Sequence, residues 1–364
     1  MNVHAVTHLI EAEAPLVLKE SYDNVGLLIG NSGMEVQGVL ITIDITEAVI
    51  DEAIAGNFNL IISHHPLIFG GLKKITGSND VQRCVIKAIK NDIAIYAAHT
   101  NIDNVLNGVS GRMADKLGLI NKQVLIPKNG MLLKIVTFVP QLHAYGLREA
   151  LFAAGAGTIG NYDACSFNSE GLGTFRAGNL AHPFVGEIGE FHSEKELRIE
   201  VIFPFFIKDK VLEALLLSHP YEEPVYDIYP IQNEWNGVGM GVIAELPEAE
   251  NELEFLRKIK TVFSVDVIRH TKLLNRKIKK VALCGGSGSS LLAQALEAKA
   301  DIFISGDFKY HEFFDAENRI IIADIGHYES EQFTKDIFYE IITKKMPTFA
   351  VQISDIKTNP INYL

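Results

Sequence analysis

Cysteine is scarce. The 364 residues hold three, Cys84, Cys165 and Cys284, widely spaced and without a CxxC pair. No disulfide framework is indicated, and the usage fits a reducing cytoplasm. Long apolar runs are also missing, so no segment reaches the length of a membrane span. Residues 1–20 carry Glu11, Glu13 and Glu20 with no basic leader region, so a secretory signal is not expected. Basic residues are the minority, 33 Lys and Arg against 45 Asp and Glu, for a net charge of −12. That balance argues against a broad nucleic-acid or anionic-membrane surface and leaves room only for a local cationic pocket. Neither GxGxxG nor a Walker sequence is present, so no nucleotide fingerprint is supported.

What is present is a globular composition, 48% hydrophobic and 21% charged, in a chain long enough for two or three domains. The first residues read as a helix, with apolar positions at Val6, Leu9, Ile10 and Ala14 until Pro15 interrupts them. A β-α-β unit follows: a strand over Val39–Ile43, a helix over Thr46–Ala55 with Asp44 or Thr46 as its cap, and a strand over Leu60–Ser63. The same unit recurs late in the chain, with strands over Val281–Cys284 and Ile302–Ser305 around a helix over Ser289–Ala298. Leu40 to Ile62 and Ala282 to Ile304 are equally spaced, and both units end in a serine followed by polar residues. Two related α/β halves are inferred.

Between them the rhythm changes to strand (132–139), helix (143–154), two strands (near 173–177 and 197–203), helix (207–218) and strand (225–231). That βαββαβ order is the ferredoxin-like pattern of an α+β module. Turn-rich stretches bound it, Pro127–Gly130 and Asn233–Gly241. The expected organisation is therefore a discontinuous α/β domain, 1–129 plus 236–364, with a ferredoxin-like domain inserted at 130–235.

Three short motifs follow runs that read as buried strands: Ser63-His64-His65-Pro66, His99-Thr100-Asn101-Ile102-Asp103, and Gly326-His327-Tyr328-Glu329-Ser330-Glu331. Each alone reads as ordinary, because a lone histidine is more often a core or surface residue than a ligand. If the strands share one parallel sheet, however, the motifs converge at one edge of it, where such sheets place ligands. His64, His65, Asp103, His327 and Glu331 then supply three imidazoles and two carboxylates, ligands suited to Zn, Fe, Mn or Co. Five ligands serve two ions only if carboxylates bridge, which two-metal sites do. Two divalent ions with two carboxylates leave positive charge for a hydroxide or a phosphate. Adjacent strand residues face opposite ways, so His64 and His65 serve different ions, or the chain bends before Pro66. His327 and Glu331, four apart, share a helix face, and Asp103, expected in a loop, is placed to bridge. His99 reads as a donor orienting Asp103, a ligand, or a helix cap.

Asp23-Asn24-Val25-Gly26-Leu27, the HHP motif, HTNID, Cys284-Gly285-Gly286-Ser287-Gly288, Ser305-Gly306-Asp307 and GHYESE, in this order along nearly the whole chain, resemble the Nif-three-like family. Its bacterial members are often called GTP cyclohydrolase I type II homologues. The insert, with its Ala153–Gly157 and His219-Pro220-Tyr221-Glu222-Glu223-Pro224 segments, is similar to that of the long bacterial form, whose extra domain has a PII- and CutA-like fold. The resemblance implies a dinuclear metal centre on His64, His65, Asp103, His327 and Glu331. It also implies a toroidal homohexamer with the sites facing an inner cavity. Tyr22, Asp307 and the Tyr310-His311 pair depart from the residues many relatives carry there, Trp, Glu and a His pair.

Other candidates have plainer readings. Gly285–Ser290 is either an anion-binding turn or a tight turn that lets a helix pack closely. Lys309 reads as a solvated loop residue, Cys284 as a buried structural thiol, and HPYEEP as a rigid turn. Three functions are open: a metal-dependent hydrolase acting on a nucleotide or phosphorylated small molecule, a metal-handling or regulatory protein whose PII-like insert acts as a sensor, or a structural or interaction hub in which the metal is static. No catalytic residue beyond the metal ligands and no organic cofactor is indicated.

Overall fold

Two sheets of the same construction stand at the centre of the larger unit. The computed structural model describes all 364 residues and divides into two compact units, Met1–Pro127 with Asn236–Leu364, and Lys128–Trp235. In the larger unit the strands are Gly26–Ile29 (β1), Val39–Thr42 (β2), Leu60–Ser63 (β3), Ala94–Ala97 (β4) and Ile120–Pro127 (β5), then, after the four strands β6–β9 of the other unit, Gly239–Asn251 (β10), Arg269–His270 (β11), Lys277–Ser287 (β12), Ile302–Gly306 (β13), Ile321–Asp324 (β14) and Val351–Ile353 (β15). One sheet has the order β1-β4-β3-β2-β15, the other β11-β14-β13-β12-β10-β5.

The duplication inferred from spacing is visible in this topology. β2, β3 and β4 run parallel, with β1 antiparallel on the edge of β4. β12, β13 and β14 likewise run parallel, with β11 antiparallel on the edge of β14. Val39 pairs with Leu60 in one half as Val281 pairs with Ile302 in the other. The expectation that all three motif strands share one sheet is overturned: β3 and β4 lie in the first sheet and β14 in the second. Each β-α-β unit extends its own sheet, and each sheet takes one edge strand from the other half: β15, from the C-terminal segment, pairs with β2, and β5, from the N-terminal segment, pairs with β10.

Both sheets are covered on both faces, which is why their strands read as continuous apolar runs. Val39, Ile41, Leu60 and Ile62 pack against Val6 and Ile10 of the first helix and Phe338 and Ile342 of the last. Alternate residues Leu40, Ile61 and Ile95 meet Val49, Ile50 and Ala53 of the helix Glu47–Ala55 and Val85 of the helix Asp80–Lys90. Thr46 caps the former, its Oγ1 accepting from Val49 N–H at 3.3 Å. The first helix spans Val3–Glu13, and Pro15 opens a short 3-10 turn at Leu16–Leu18. No helix is long and apolar enough to cross a membrane.

The unit Lys128–Trp235 holds Leu132–Pro140 (β6), Phe167–Arg176 (β7), Phe191–Pro204 (β8) and Tyr226–Ile231 (β9), with helices Ala144–Ala153 and Lys208–Ser218. Its antiparallel sheet has the order β7-β8-β6-β9, the ferredoxin-like arrangement that its element order implies. Ile135, Ile199, Val201 and Phe203 face the helices through Leu147, Leu151, Val211 and Leu215. In HPYEEP, His219 Nε2–H donates to Phe138 O at 3.0 Å and its Nδ1 accepts from Tyr221 N–H at 3.1 Å, so this histidine is a structural tie.

Candidate metal centre

The carboxyl ends of β3 and β4 and the helix that follows β14 bring the three motifs together. His64 and His65 extend β3, their N–H groups donating to Thr42 O and Ile43 O. His99 follows β4 and precedes one helical turn, Thr100–Asp103. Asp103 therefore ends a short helix where a loop was expected. Gly326, at φ +93°, turns the chain from β14 into the helix His327–Glu331, which puts His327 and Glu331 on one face, Nε2 to Oε2 at 3.2 Å.

Glu331 is buried and its two oxygens point to two groups. Oε1 lies 3.6 Å from His64 Nε2, and Asp103 Oδ1 lies 3.7 Å from the same nitrogen. Oε2 lies 3.0 Å from His65 Nε2 and 3.2 Å from His327 Nε2, and these two nitrogens are 3.3 Å apart. The carboxylate that stands between the groups is thus Glu331, where Asp103 had been expected to bridge; Asp103 faces His64. The neighbouring histidines divide between the groups although their rings are only 4.9 Å apart.

Every histidine here is held by Nδ1. His64 Nδ1–H donates to Ala98 O at 3.0 Å, His65 to Asp44 at 2.7 Å, His99 to Asp23 at 2.9 Å and His327 to Asp307 at 2.7 Å. This fixes the tautomer and turns each Nε2 lone pair inward, the arrangement that metal-bound imidazoles use. His99 pairs with Asp23 rather than orienting Asp103, and it occupies the helix-cap position without a side-chain cap bond. Its ligand atom still lies within 4.8 Å of those of His64 and His65.

Five buried side-chain polar atoms in the chain lack a hydrogen-bond partner, and three of them, His64 Nε2, Asp103 Oδ1 and Glu331 Oε2, meet here. Unpaired buried polar atoms cost about 1–3 kcal/mol each, so such a cluster calls for partners. Cations would satisfy them, one between His64 and Asp103 and one at Glu331 Oε2, and imidazole with carboxylate fits Zn, Fe, Mn or Co. Proton affinities in the metal-free protein agree. Burial pushes the Asp103 carboxyl up, and the nearby Glu331 charge pushes the same way against the pull of His64. Burial would also raise Glu331, but His64, His327 and His65 hold it well below the usual carboxylate range. His65 is only partly buried, and desolvation would lower it, yet Asp44 and Glu331 push it up to about 10. The Glu331 carboxylate facing His327 at 3.2 Å, helped by Asp307, pushes His327 up to about 9. Two imidazoles thus hold protons where a cation would otherwise sit.

Reading the sequence missed most of the supporting ring. Asp44 was expected only as a helix cap; instead it binds His65, while its Oδ2 accepts from Thr358 Oγ1 at 2.6 Å. Asp23 is buried between His99 and Thr100; the only signal for it was its place in the Asp-Asn-Val-Gly motif. Asn359 Nδ2 donates to Glu329 at 2.8 Å, so the C-terminal segment ties down both sides of the site. The glycine segment of β12 serves close packing: Gly286, at φ +62°, lies so near that an added Cβ would stand 2.2 Å from Glu331 Oε1. Its N–H donates to Ser330 Oγ at 2.9 Å. Burial pushes Cys284 up to about 12, away from thiolate chemistry. Lys309 is exposed on its loop.

Comparison with known proteins adds family evidence. The model of a family described as Duf34/NIF3 (NGG1p interacting factor 3) matches residues 1–360. A Halalkalibacterium halodurans protein called GTP cyclohydrolase 1 type 2 homolog is 41% identical over 368 residues, covering 100% of this chain and 99% of that one. A Bacillus subtilis protein of the same name is 36% identical over 374 residues, with 100% and 99% covered. The crystal structure of a Bacillus cereus protein related to NIF3 superposes with a TM-score of 0.88 at 39% identity, covering 100% of this chain and 99% of that one.

Proposed function

The chain belongs to the Duf34/NIF3 family, and from that premise we propose that it holds two divalent ions and acts as a metal-dependent hydrolase on a nucleotide or a phosphorylated small molecule. The supporting observation is the division of Glu331: one oxygen faces His64 beside Asp103, the other faces His65 and His327. In this reading His64, Asp103 and Glu331 hold one ion and His65, His327 and Glu331 hold the other. Bound there, the pair supplies Lewis acidity and the means to lower the pKa of water near neutrality.

The remaining residues position and shield. Asp44, Asp307 and Asp23 lock three imidazoles in orientation. Tyr22 and Phe69 are exposed with rings 6.3 Å apart, and Phe69 stands edge-on to His99 at 6.2 Å. This aromatic lip beside the histidines suits a planar substrate ring, which favours a nucleotide. GTP is the first substrate to test, since it stands in the relatives' name. The experiment loads the protein with Zn, Mn, Fe or Co and screens GTP and a phosphoester panel. Turnover that vanishes on chelation and in His65→Ala supports the hydrolase; no turnover with any metal contradicts it.

A second reading, metal handling or regulation with the insert as a PII-like sensor, is favoured by one observation. Asp23, Asp44 and Asp307 are each already engaged by a histidine, so none stands free as a protein base. A homohexameric toroid with its centres facing an inner cavity, a cytoplasmic location, a domain boundary at the insert and a PII- or CutA-like kinship for it belong to the same proposal.

A further inference from the structure

The chain leaves β15 at Ile353 and runs on to Leu364 without helix or strand. Such a stretch makes no ladder of its own, and ordering it costs backbone entropy that side-chain contacts must offset. Here the contacts fall on three carboxylates in succession. Ser354 Oγ and Asp355 N–H donate to Glu52 of the helix Glu47–Ala55, the second at 2.9 Å. Thr358 Oγ1–H donates to Asp44 Oδ2 at 2.6 Å. Asn359 Nδ2–H donates to Glu329 Oε1 at 2.8 Å, and its own Oδ1 accepts from Ile361 N–H at 3.0 Å. Thr358 and Asn359 are half-buried, while Lys357 and Pro360 on either side are exposed.

The anchors belong to different halves of the larger unit. Asp44 and Glu52 follow β2 of the first sheet. Glu329 sits on the helix His327–Glu331, which follows β14 of the second. The segment therefore spans the seam at which His65 and His327 meet, Nε2 to Nε2 at 3.3 Å. Tyr328, between His327 and Glu329, lies beside the same Thr358 side chain.

Thr358 acts on His65 through one intermediate. Asp44 Oδ1 accepts from His65 Nδ1–H at 2.7 Å, while Oδ2 takes the Thr358 hydroxyl. The last torsion of an aspartate is soft, so a carboxylate held on one oxygen alone can turn. A donor on each oxygen fixes its plane, and the plane fixes the imidazole behind the ion. A hydroxyl bonded to a charged carboxylate is among the stronger hydrogen bonds. His64 has no such dependence, because its Nδ1–H donates to the main-chain Ala98 O at 3.0 Å. The contrast confines the effect to one of the two ions.

We propose that Thr358 is a positioning residue for the ion held by His65 and His327, and that residues 354–361 form a strap whose ordering is linked to the binding of that ion. The proposal rests on the two-ion reading above. Linkage is reciprocal: what the strap adds to the ion's affinity, the ion adds to the order of the strap.

The test is a Zn titration of the whole chain against a chromophoric chelator, which resolves two successive affinities, on the parent, Thr358→Val and Thr358→Ser. Valine keeps the shape and removes the hydroxyl; serine keeps the hydroxyl. In Thr358→Val one ion should bind about tenfold more weakly, the loss expected when the support behind a metal-bound imidazole is removed, with the other ion unchanged. Thr358→Ser should match the parent. Added to His327→Ala, which retains only the ion beside His64, Thr358→Val should cost nothing further. Hydrogen–deuterium exchange read by mass spectrometry gives the second readout: Zn should slow exchange at residues 354–361 in the parent and not in His327→Ala. A Thr358→Val protein that holds both ions as the parent does, an equal loss at both sites, a serine variant as weak as the valine one, or exchange at 354–361 indifferent to Zn overturns the inference while the two-ion reading stands. A parent that binds no Zn overturns both.

Discussion

Glu331 Oε2 stands 3.0 Å from His65 Nε2 and 3.2 Å from His327 Nε2. With His65 Nδ1–H committed to Asp44, Oε2 and His65 Nε2 face each other as lone pairs unless something positive lies between them. In the metal-free protein that is a proton; in the proposed state it is a metal ion.

Metal uptake should therefore release protons. His65 and His327 are raised to about 10 and about 9 in the metal-free protein, so both carry protons at pH 7, and an ion must displace them. Apparent affinity should rise from pH 6 toward pH 9. The metal-free fold follows the opposite sign. Raised histidines stabilise it fully below the unfolded value near 6.5, and that contribution fades as pH rises through about 9 to 10. Calorimetry of Zn binding in Tris and in PIPES, whose ionisation heats differ, checks this. Identical heats after dilution correction would mean that no proton leaves.

Asp44→Asn should keep the fold but loosen the ion held by His65. Losing the carboxylate behind a metal-bound imidazole typically costs about 10- to 100-fold in metal affinity. Competition with a fluorescent chelator measures this. Unchanged affinity would make Asp44 a tie to Thr358 and nothing more.

Asp23 contributes to stability. It is 4% exposed and accepts from His99, Thr100 and Asn24. Burial would raise its carboxyl, but those bonds win and hold it far below the usual range. Asp23→Asn should cost about 2 to 3 kcal/mol at pH 7 in urea unfolding of the metal-free protein. A depressed carboxyl stabilises above the unfolded value near 3.9 and loses that effect as pH falls, so the variant and parent should converge in acid. A constant gap from pH 7 to pH 3 would assign the loss to packing.

Gly286→Ala should disturb the centre without touching a ligand. The φ of +62° disfavours any side chain, and the new Cβ would press on Glu331 Oε1. A loss of about 1–2 kcal/mol from the backbone alone is expected, together with reduced metal content. Full stability with full metal content would show that β12 can yield there.

Much of this architecture was legible because it is local. Val39–Ile43 and Leu60–Ile62 are continuous apolar runs since each strand is covered on both faces. His327 and Glu331 share a face because they are four apart on a helix. What could not be read is which edges meet. A β-α-β unit does not announce whether its neighbour joins the same sheet, so the two-sheet arrangement came as a correction. The supporting carboxylates were hidden for a related reason: Asp44 and Thr358 touch across 314 positions. Asp103 shows a third limit, since four residues between His99 and Asn104 form a helical turn too short for any periodic signal.

The most direct measurement is metal content by inductively coupled plasma mass spectrometry on protein loaded with Zn and then desalted. The account predicts two ions per subunit in the parent, one in Asp103→Ala and in His327→Ala, and none retained in Glu331→Ala, since only that side chain serves both groups. Two ions in Glu331→Ala, or one in the parent, would contradict it.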